Sequence, residues 1–170
     1  MHLTRNGGRK WDNLTDNIEM PPWGTISNIE ASRFDKGTAY ISVDFHQMGN
    51  FEPYIYKTED YGKSWKHISS DIPKSYSSFV HVVREDHKTP GVLYAGTDNG
   101  LYVSVDDGDN WERIKNNLPP APVYWISLQE HFDDMVIGTY GRGIFILDDI
   151  SPFRELSGVN KEKVNFMPVQ

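Results

Sequence analysis

The sequence predicts an all-β fold made of repeated four-stranded units, and three observations carry that prediction. The apolar segments are short, rich in β-branched and aromatic residues, and separated by Gly, Pro, Asn and Asp. The octet SVDDGDNW at 104–111 returns, as the pattern Ser/Thr-x-Asp/Asn-x-Gly-x-x-Trp, in TEDYGKSW at 58–65 and TRNGGRKW at 4–11. Its tryptophans Trp11, Trp65 and Trp111 stand 54 and then 46 residues apart, an interval of the size of one β-propeller blade.

Each element follows in order along the chain. MHLT reads as the end of a third strand and WDNL as a fourth, so the chain enters its repeat partway through a blade. ISNI, TAYISV and YIYKT are then the first three strands of one full blade, and VHVV, VLYAGT and LYVSV those of the next. WISL, MVIGT and IFILDD begin another. The octet falls each time at the hairpin between third and fourth strands. There Gly8, Gly62 and Gly108 supply a positive φ, Asn6, Asp60 and Asp106 accept hydrogen bonds from turn amides, and Thr4, Thr58 and Ser104 open the turn. Each Trp begins the fourth strand and is followed three residues on by Leu14, Ile68 or Ile114 and seven on by Ile18, Ile72 or Leu118. A fourth octet is degenerate, with Leu147, Asp149, Ser151 and Arg154 at the motif positions.

The expected organisation is a partial β-propeller of about three four-stranded antiparallel blades over residues 1–156. A blade end occupies 1–18, full blades 25–72 and 79–118, an incomplete blade 123–156, and a tail or linker 157–170. Closed propellers need roughly four to eight blades. The expected partners are therefore the remaining blades of a longer parent, of which this chain is a fragment, or a second copy of the chain.

Bulk properties narrow the function classes. A net charge of −7 with no Lys/Arg cluster argues against a nucleic-acid partner. No apolar run is long enough to cross a bilayer as a helix, so no membrane partner is expected. The absence of cysteine rules out a disulfide framework and leaves the compartment open. No cofactor is expected. A calcium loop at Asp106, Asp107 and Asp109 lacks the distal glutamate of an EF-type site, and TRNGGRKW carries no carboxylate, so no metal is expected either.

The three octets resemble the Asp-box of bacterial neuraminidase (BNR) repeats, shared by sialidases, xyloglucan-type endoglucanases and the sortilin ectodomain. PYIYKTEDYGKSW together with VIGTYGRGIFILDDISPFREL is similar to the closing blades of bacterial sortilin-like or glycosyl-hydrolase-like repeat proteins. The resemblance implies a propeller, with a parent that is periplasmic or extracellular. It leaves activity open, because the box occurs in hydrolases and in pure binders alike.

A feature repeated in every blade solves a problem every blade has, so candidate ligand-binding residues are sought where the repeats differ. Loops between second and third strands, and those between blades, lie on the face opposite the octets. They supply Asp44 and His46 in DFHQMGNFE, Asp98 in DNG, Tyr140 and Arg142 in YGRG, and Trp23, Tyr76 and Tyr124 between blades. Arg142 suits a carboxylate ligand, or else an ion pair to Asp148 or Asp149. The three blade-connecting aromatics suit sugar stacking or packing between blades. Catalytic residues are not identified. A glycosidase needs two carboxyl groups across the scissile bond, and Glu85 and Glu130, in VRE and LQE, read as equivalent repeat positions. The expected function is a non-catalytic propeller segment binding a polypeptide or glycan on its loop face. The alternative is the C-terminal part of a sialidase-like or xyloglucanase-like glycoside hydrolase with catalytic residues partly outside this chain.

Overall fold

The computed structural model describes residues 1–157. It is an all-β partial propeller in which, within each sheet, each strand pairs antiparallel with the next along the chain. β1 (His2–Leu3) and β2 (Asp12–Asn13) form a two-stranded ribbon. β3 (Thr25–Ala31), β4 (Ala39–Asp44), β5 (Tyr54–Thr58) and β6 (Lys66–His67) make the first full blade. β7 (Val80–Glu85), β8 (Leu93–Thr97), β9 (Gly100–Ser104) and β10 (Glu112–Ile114) make the second. β11 (Val123–Gln129), β12 (Asp134–Thr139) and β13 (Ile144–Leu147) form a three-stranded last sheet. The expected tail falls outside the described residues from 158 onward.

Side chains alternate across each strand, so the middle blade feeds two cores. Val83, Leu93, Ala95 and Tyr102 pack toward the preceding blade against Tyr40, Ile55, Ile68 and Ile72. Val82, Tyr94, Leu101 and Val103 pack toward the following blade against Val123, Ile126, Met135 and Ile137. Full burial of each large apolar side chain stabilises the fold by about 1.5–3 kcal/mol before entropy is counted. On the first blade Ile41, Val43, Phe45 and Tyr56 are covered by Ile18, Met1 and Met20 from the N-terminal segment. Among the described residues the last blade has no such cover: Ile144 and Ile146 are 74% and 62% exposed.

The octet hairpins share one hydrogen-bond scheme. The first hydroxyl accepts from the glycine amide at 2.9 Å in all three copies, Gly8 to Thr4, Gly62 to Thr58 and Gly108 to Ser104. The Asn6, Asp60 or Asp106 Oδ1 then accepts from the amide of Lys10, Ser64 or Asn110. The glycines have φ of +86°, +77° and +90°, and the residue before each is also left-handed: Gly7, Tyr61 and Asp107. A second constraint comes from the neighbouring blade. A Cβ on Gly62 would lie 2.5 Å from Leu14 Cδ1, and one on Gly108 2.7 Å from Ile68 Cδ1. The aliphatic residues three after Trp11 and three after Trp65 thus each fill a notch left by the next octet's glycine, which accounts for the regularity of Leu14 and Ile68. Fourth strands begin one residue after the Trp. Trp111 is buried and donates its indole N–H to Ile68 O at 2.7 Å, whereas Trp11 is 57% exposed.

One sequence expectation, the equivalence of Glu85 and Glu130, is corrected by the register. Glu85 faces Leu93 across the β7–β8 pair, and the corresponding partner of Met135 is Leu128. Glu85 is therefore equivalent to Leu128, and to Ala31 opposite Ala39 in the first blade. Glu130 lies two positions further on, exposed and paired with Arg33. In the last blade the degenerate octet forms a short helix, α1 (Ser151–Leu156), where a fourth hairpin strand would begin. Ile150 is fully buried beneath it, and Arg154 reaches back to Asp86 at 2.9 Å and Asp133 at 2.9 Å.

Candidate functional site

Antiparallel alternation puts the octet turns and the β3–β4 and β7–β8 loops on one face. The β4–β5 and β8–β9 loops and the blade connections lie on the other. On that second face the inner strand of each of the three larger sheets carries the same irregularity. Register shifts fall between Ile26 and Asn28, Val80 and Val82, and Val123 and Trp125. A bulge re-aims the extra side chain. The re-aimed residues are Ser27, His81 and Tyr124, three different side chains in one structural position. The residues closing the second strands, Asp44, Asp98 and Tyr140, share a position as well.

These two positions meet along the rim. Asp98 Oδ1 lies 3.1 Å from His81 Nε2, and the His81 ring stacks on Tyr124 at 3.9 Å between centroids and 22° between planes. Tyr124 leads to Tyr140 at 5.6 Å. On its other side His81 meets Phe79 edge-on at 5.1 Å, and Phe79 stacks on His46 at 4.8 Å. His46 is held by Asp44, whose Oδ2 lies 2.6 Å from Nδ1 while Oδ1 accepts the His46 amide at 2.8 Å. Phe51 bridges Phe79 at 6.1 Å to Tyr76 at 5.6 Å. The result is a row of six rings spanning three sheets, with His46 branching from Phe79 and a carboxylate bonded to each imidazole.

Burial of the His81 imidazole holds it below the ordinary histidine range, with His46 adding to that and the carboxylates of Asp98 and Asp44 opposing it. The Tyr124 hydroxyl is pushed up, first by burial and then by Asp98, Tyr140 and Asp44. Both rings are thereby kept uncharged near neutrality, suited to stacking and hydrogen bonding.

Of the residues singled out in the sequence, Asp44, His46, Asp98, Tyr76, Tyr124 and Tyr140 are brought together. Trp23 is not: it sits at φ +69°, 83% exposed, with no ring contact among the described residues. Arg142 stands exposed between Gly141 and Gly143, both left-handed, with no ion pair to Asp148 or Asp149 among the described residues. Of the three blade-connecting aromatics, Tyr124 stacks across the blade boundary on His81 while staying 50% exposed, Tyr76 touches Phe51 of the first blade edge-on while 84% exposed, and Trp23 makes no such contact among the described residues. Sequence reasoning missed Phe51, Phe79 and His81. A polar residue interrupting the apolar run FVHVV was the available signal for His81.

Fold and turn chemistry define an Asp-box β-propeller. Residues 1–142 match the Sortilin-Vps10 family model, described as sortilin, neurotensin receptor 3, and the chain belongs to this family. Among curated proteins no relative matches it. Solved structures with the same fold include the GH74 xyloglucanase from Xanthomonas campestris, at TM-score 0.65 and 19% identity over 88% of this chain and 24% of that one. YCF48 bound to D1 peptide aligns at TM-score 0.60 and 19% identity, over 86% of this chain and 44% of that one. The GH74 enzyme of Niastella koreensis aligns at TM-score 0.58 and 14% identity, over 73% and 21%. The chain spans less than half the length of each of these propellers.

Proposed function

We propose that the chain is a non-catalytic stretch of a larger Asp-box propeller that binds an extended polypeptide or glycan along the loop-face aromatic row. The observation that carries this reading is the row itself, Tyr76–Phe51–Phe79–His81–Tyr124–Tyr140, with His46 stacked beside Phe79. The exposed rings of Tyr76, Tyr124 and Tyr140 offer flat contact area at low conformational cost, and the buried Phe79 and the largely buried His81 side chain, the latter held by Asp98, support them from below. Likeness to a peptide-bound propeller is consistent with the reading. Further blades of a parent, or a second copy, would cover Trp125, Ile144 and Ile146, which are 54%, 74% and 62% exposed.

The second reading, part of a glycoside hydrolase, is favoured by two carboxylates on the same rim, Asp44 and Asp98, and by the GH74 likeness. Calorimetric titration of the 170-residue chain with peptide libraries and with xyloglucan oligosaccharides separates the two ligands. Saturable binding that falls about tenfold in Tyr124→Ala, about 1.4 kcal/mol, with an unchanged melting temperature, is the expected result. Release of reducing ends from any glycan by the chain would overturn the non-catalytic reading.

A further inference from the structure

A pocket of about 280 Å³ lies on the opposite, Asp-box face, at the junction of the first and second blades. The first blade contributes Asp35, Tyr40, Lys57 and Glu59 to its wall, and the second contributes Glu85 and Asp107. Four carboxylates and one ammonium therefore surround it, but three of the carboxylates are already engaged. Asp35 accepts from the Gly37 amide at 2.9 Å and the Thr38 hydroxyl at 3.2 Å. Lys57 donates to both Glu59 and Asp107.

Glu85 differs. It is only 5% exposed, and its Oε2 is buried with no hydrogen-bond partner among the described residues. Its Oε1 receives only long contacts, from Gly91 N at 3.4 Å and the Tyr40 hydroxyl at 3.3 Å. That hydroxyl has one hydrogen and a shorter alternative acceptor, Asp107 Oδ1 at 3.0 Å. A buried carboxylate with so few donors is costly to the fold. The cost is also local to this blade: the equivalent positions hold Ala31 and Leu128, which pose no such problem.

We propose that this pocket binds a primary ammonium group on an aliphatic stem, with Glu85 Oε2 as its anchor. The lining has an excess of negative charge, and Phe34 and Pro90 supply apolar wall for a methylene chain. An ammonium brings three N–H donors to a single orphan oxygen, whereas the planar fork of a guanidinium needs two matched acceptors. A divalent metal is disfavoured, since the described residues contain no group of three or more side chains placed to hold one. The source is either a free alkylamine or the lysine side chain of a partner protein.

The test uses the full 170-residue chain with 1,4-diaminobutane and N-acetyl-lysine amide as probes and tetramethylammonium, which has no N–H, as control. Saturable movement of the Gly91 amide resonance and a raised melting temperature are expected with at least one probe and not with the control. A response to both probes indicates a free-amine site, and a response to the lysine derivative alone indicates a partner's side chain. Glu85→Gln removes an under-paired buried charge, so it should melt higher than the parent without amine and lose the amine response. An equal response to tetramethylammonium, an unmoved Gly91 amide, or Glu85→Gln that melts lower and still responds would each overturn the proposal. Should Glu85→Gln not fold, Glu85→Asp and the Gly91 resonance of the parent chain keep the test decisive.

Discussion

The two faces of this propeller segment follow opposite rules. On the Asp-box face the same hydroxyl, carboxamide or carboxylate, and glycine recur with hydrogen bonds that agree to about a tenth of an ångström between copies. On the loop face the backbone is equally regular, with a bulge in each inner strand, yet the side chains placed there are Ser27, His81 and Tyr124. Repetition of side chains marks what holds blades together. Repetition of backbone with varied side chains marks a frame on which recognition can change without disturbing the core. Glu85 is a departure on the regular face, and the proposed ammonium pocket forms around it.

The largest expected effect is at the last blade, where the octet scheme is replaced. Arg154→Ala leaves Asp86, whose side chain is fully buried, without its guanidinium. A loss of about 3–5 kcal/mol is expected in urea denaturation. Next comes a comparison of glycines. Gly108→Ala meets both the left-handed φ and the Ile68 methyl, so about 2–5 kcal/mol is expected. Gly8→Ala meets the φ alone, its nearest neighbour being Trp11 at 3.9 Å, so about 1–2 kcal/mol is expected. Equal losses at the two glycines would remove the notch from the account and leave only backbone conformation.

A smaller effect distinguishes the boxes by pH. The Ser64 amide and hydroxyl, with the Thr58 hydroxyl and Lys63 amide, hold the Asp60 carboxyl down at about 2. Its unfolded counterpart titrates near 3.9. Because the folded value is the lower one, the stabilisation is complete above about pH 4 and is lost as pH falls toward 2. Asp60→Asn should flatten that part of the acid titration. Asn6 already occupies the same place in the first box, so that hairpin should show no such dependence. The smallest stability change is expected at the rim: Tyr140→Ala, at a position 72% exposed, should shift unfolding by less than about 0.5 kcal/mol while weakening ligand binding.

The strands and octets were legible because a repeat constrains itself: each copy of the motif corrects the reading of the others. The same indexing picked out Asp44, Asp98, Tyr124 and Tyr140, since loop positions can be counted from the motif. It failed where backbone irregularity intervenes. A bulge adds a residue without a sequence mark, so His81 was read as one more residue of the strand VHVV although its side chain turns to the rim. Misalignment by two residues paired VRE with LQE and hid the singularity of Glu85. Helix α1 was invisible because a degenerate octet gives no positive signal; only Arg154 at the Trp position hinted that an ion pair had replaced an indole.

The glycine notch has a consequence for how such a chain can lengthen. Leu14 sits in the notch of Gly62 and Ile68 in that of Gly108, so each unit offers the same key to its successor and the same lock to its predecessor. A gene segment copied from one tryptophan codon to the next therefore carries a matched key and lock, and can be inserted or removed at any joint while its neighbours still engage. Arg154 and α1 break that series. The last unit has Ser151 where the others have glycine, and its joint to the preceding blade is held instead by Arg154 on the buried Asp86.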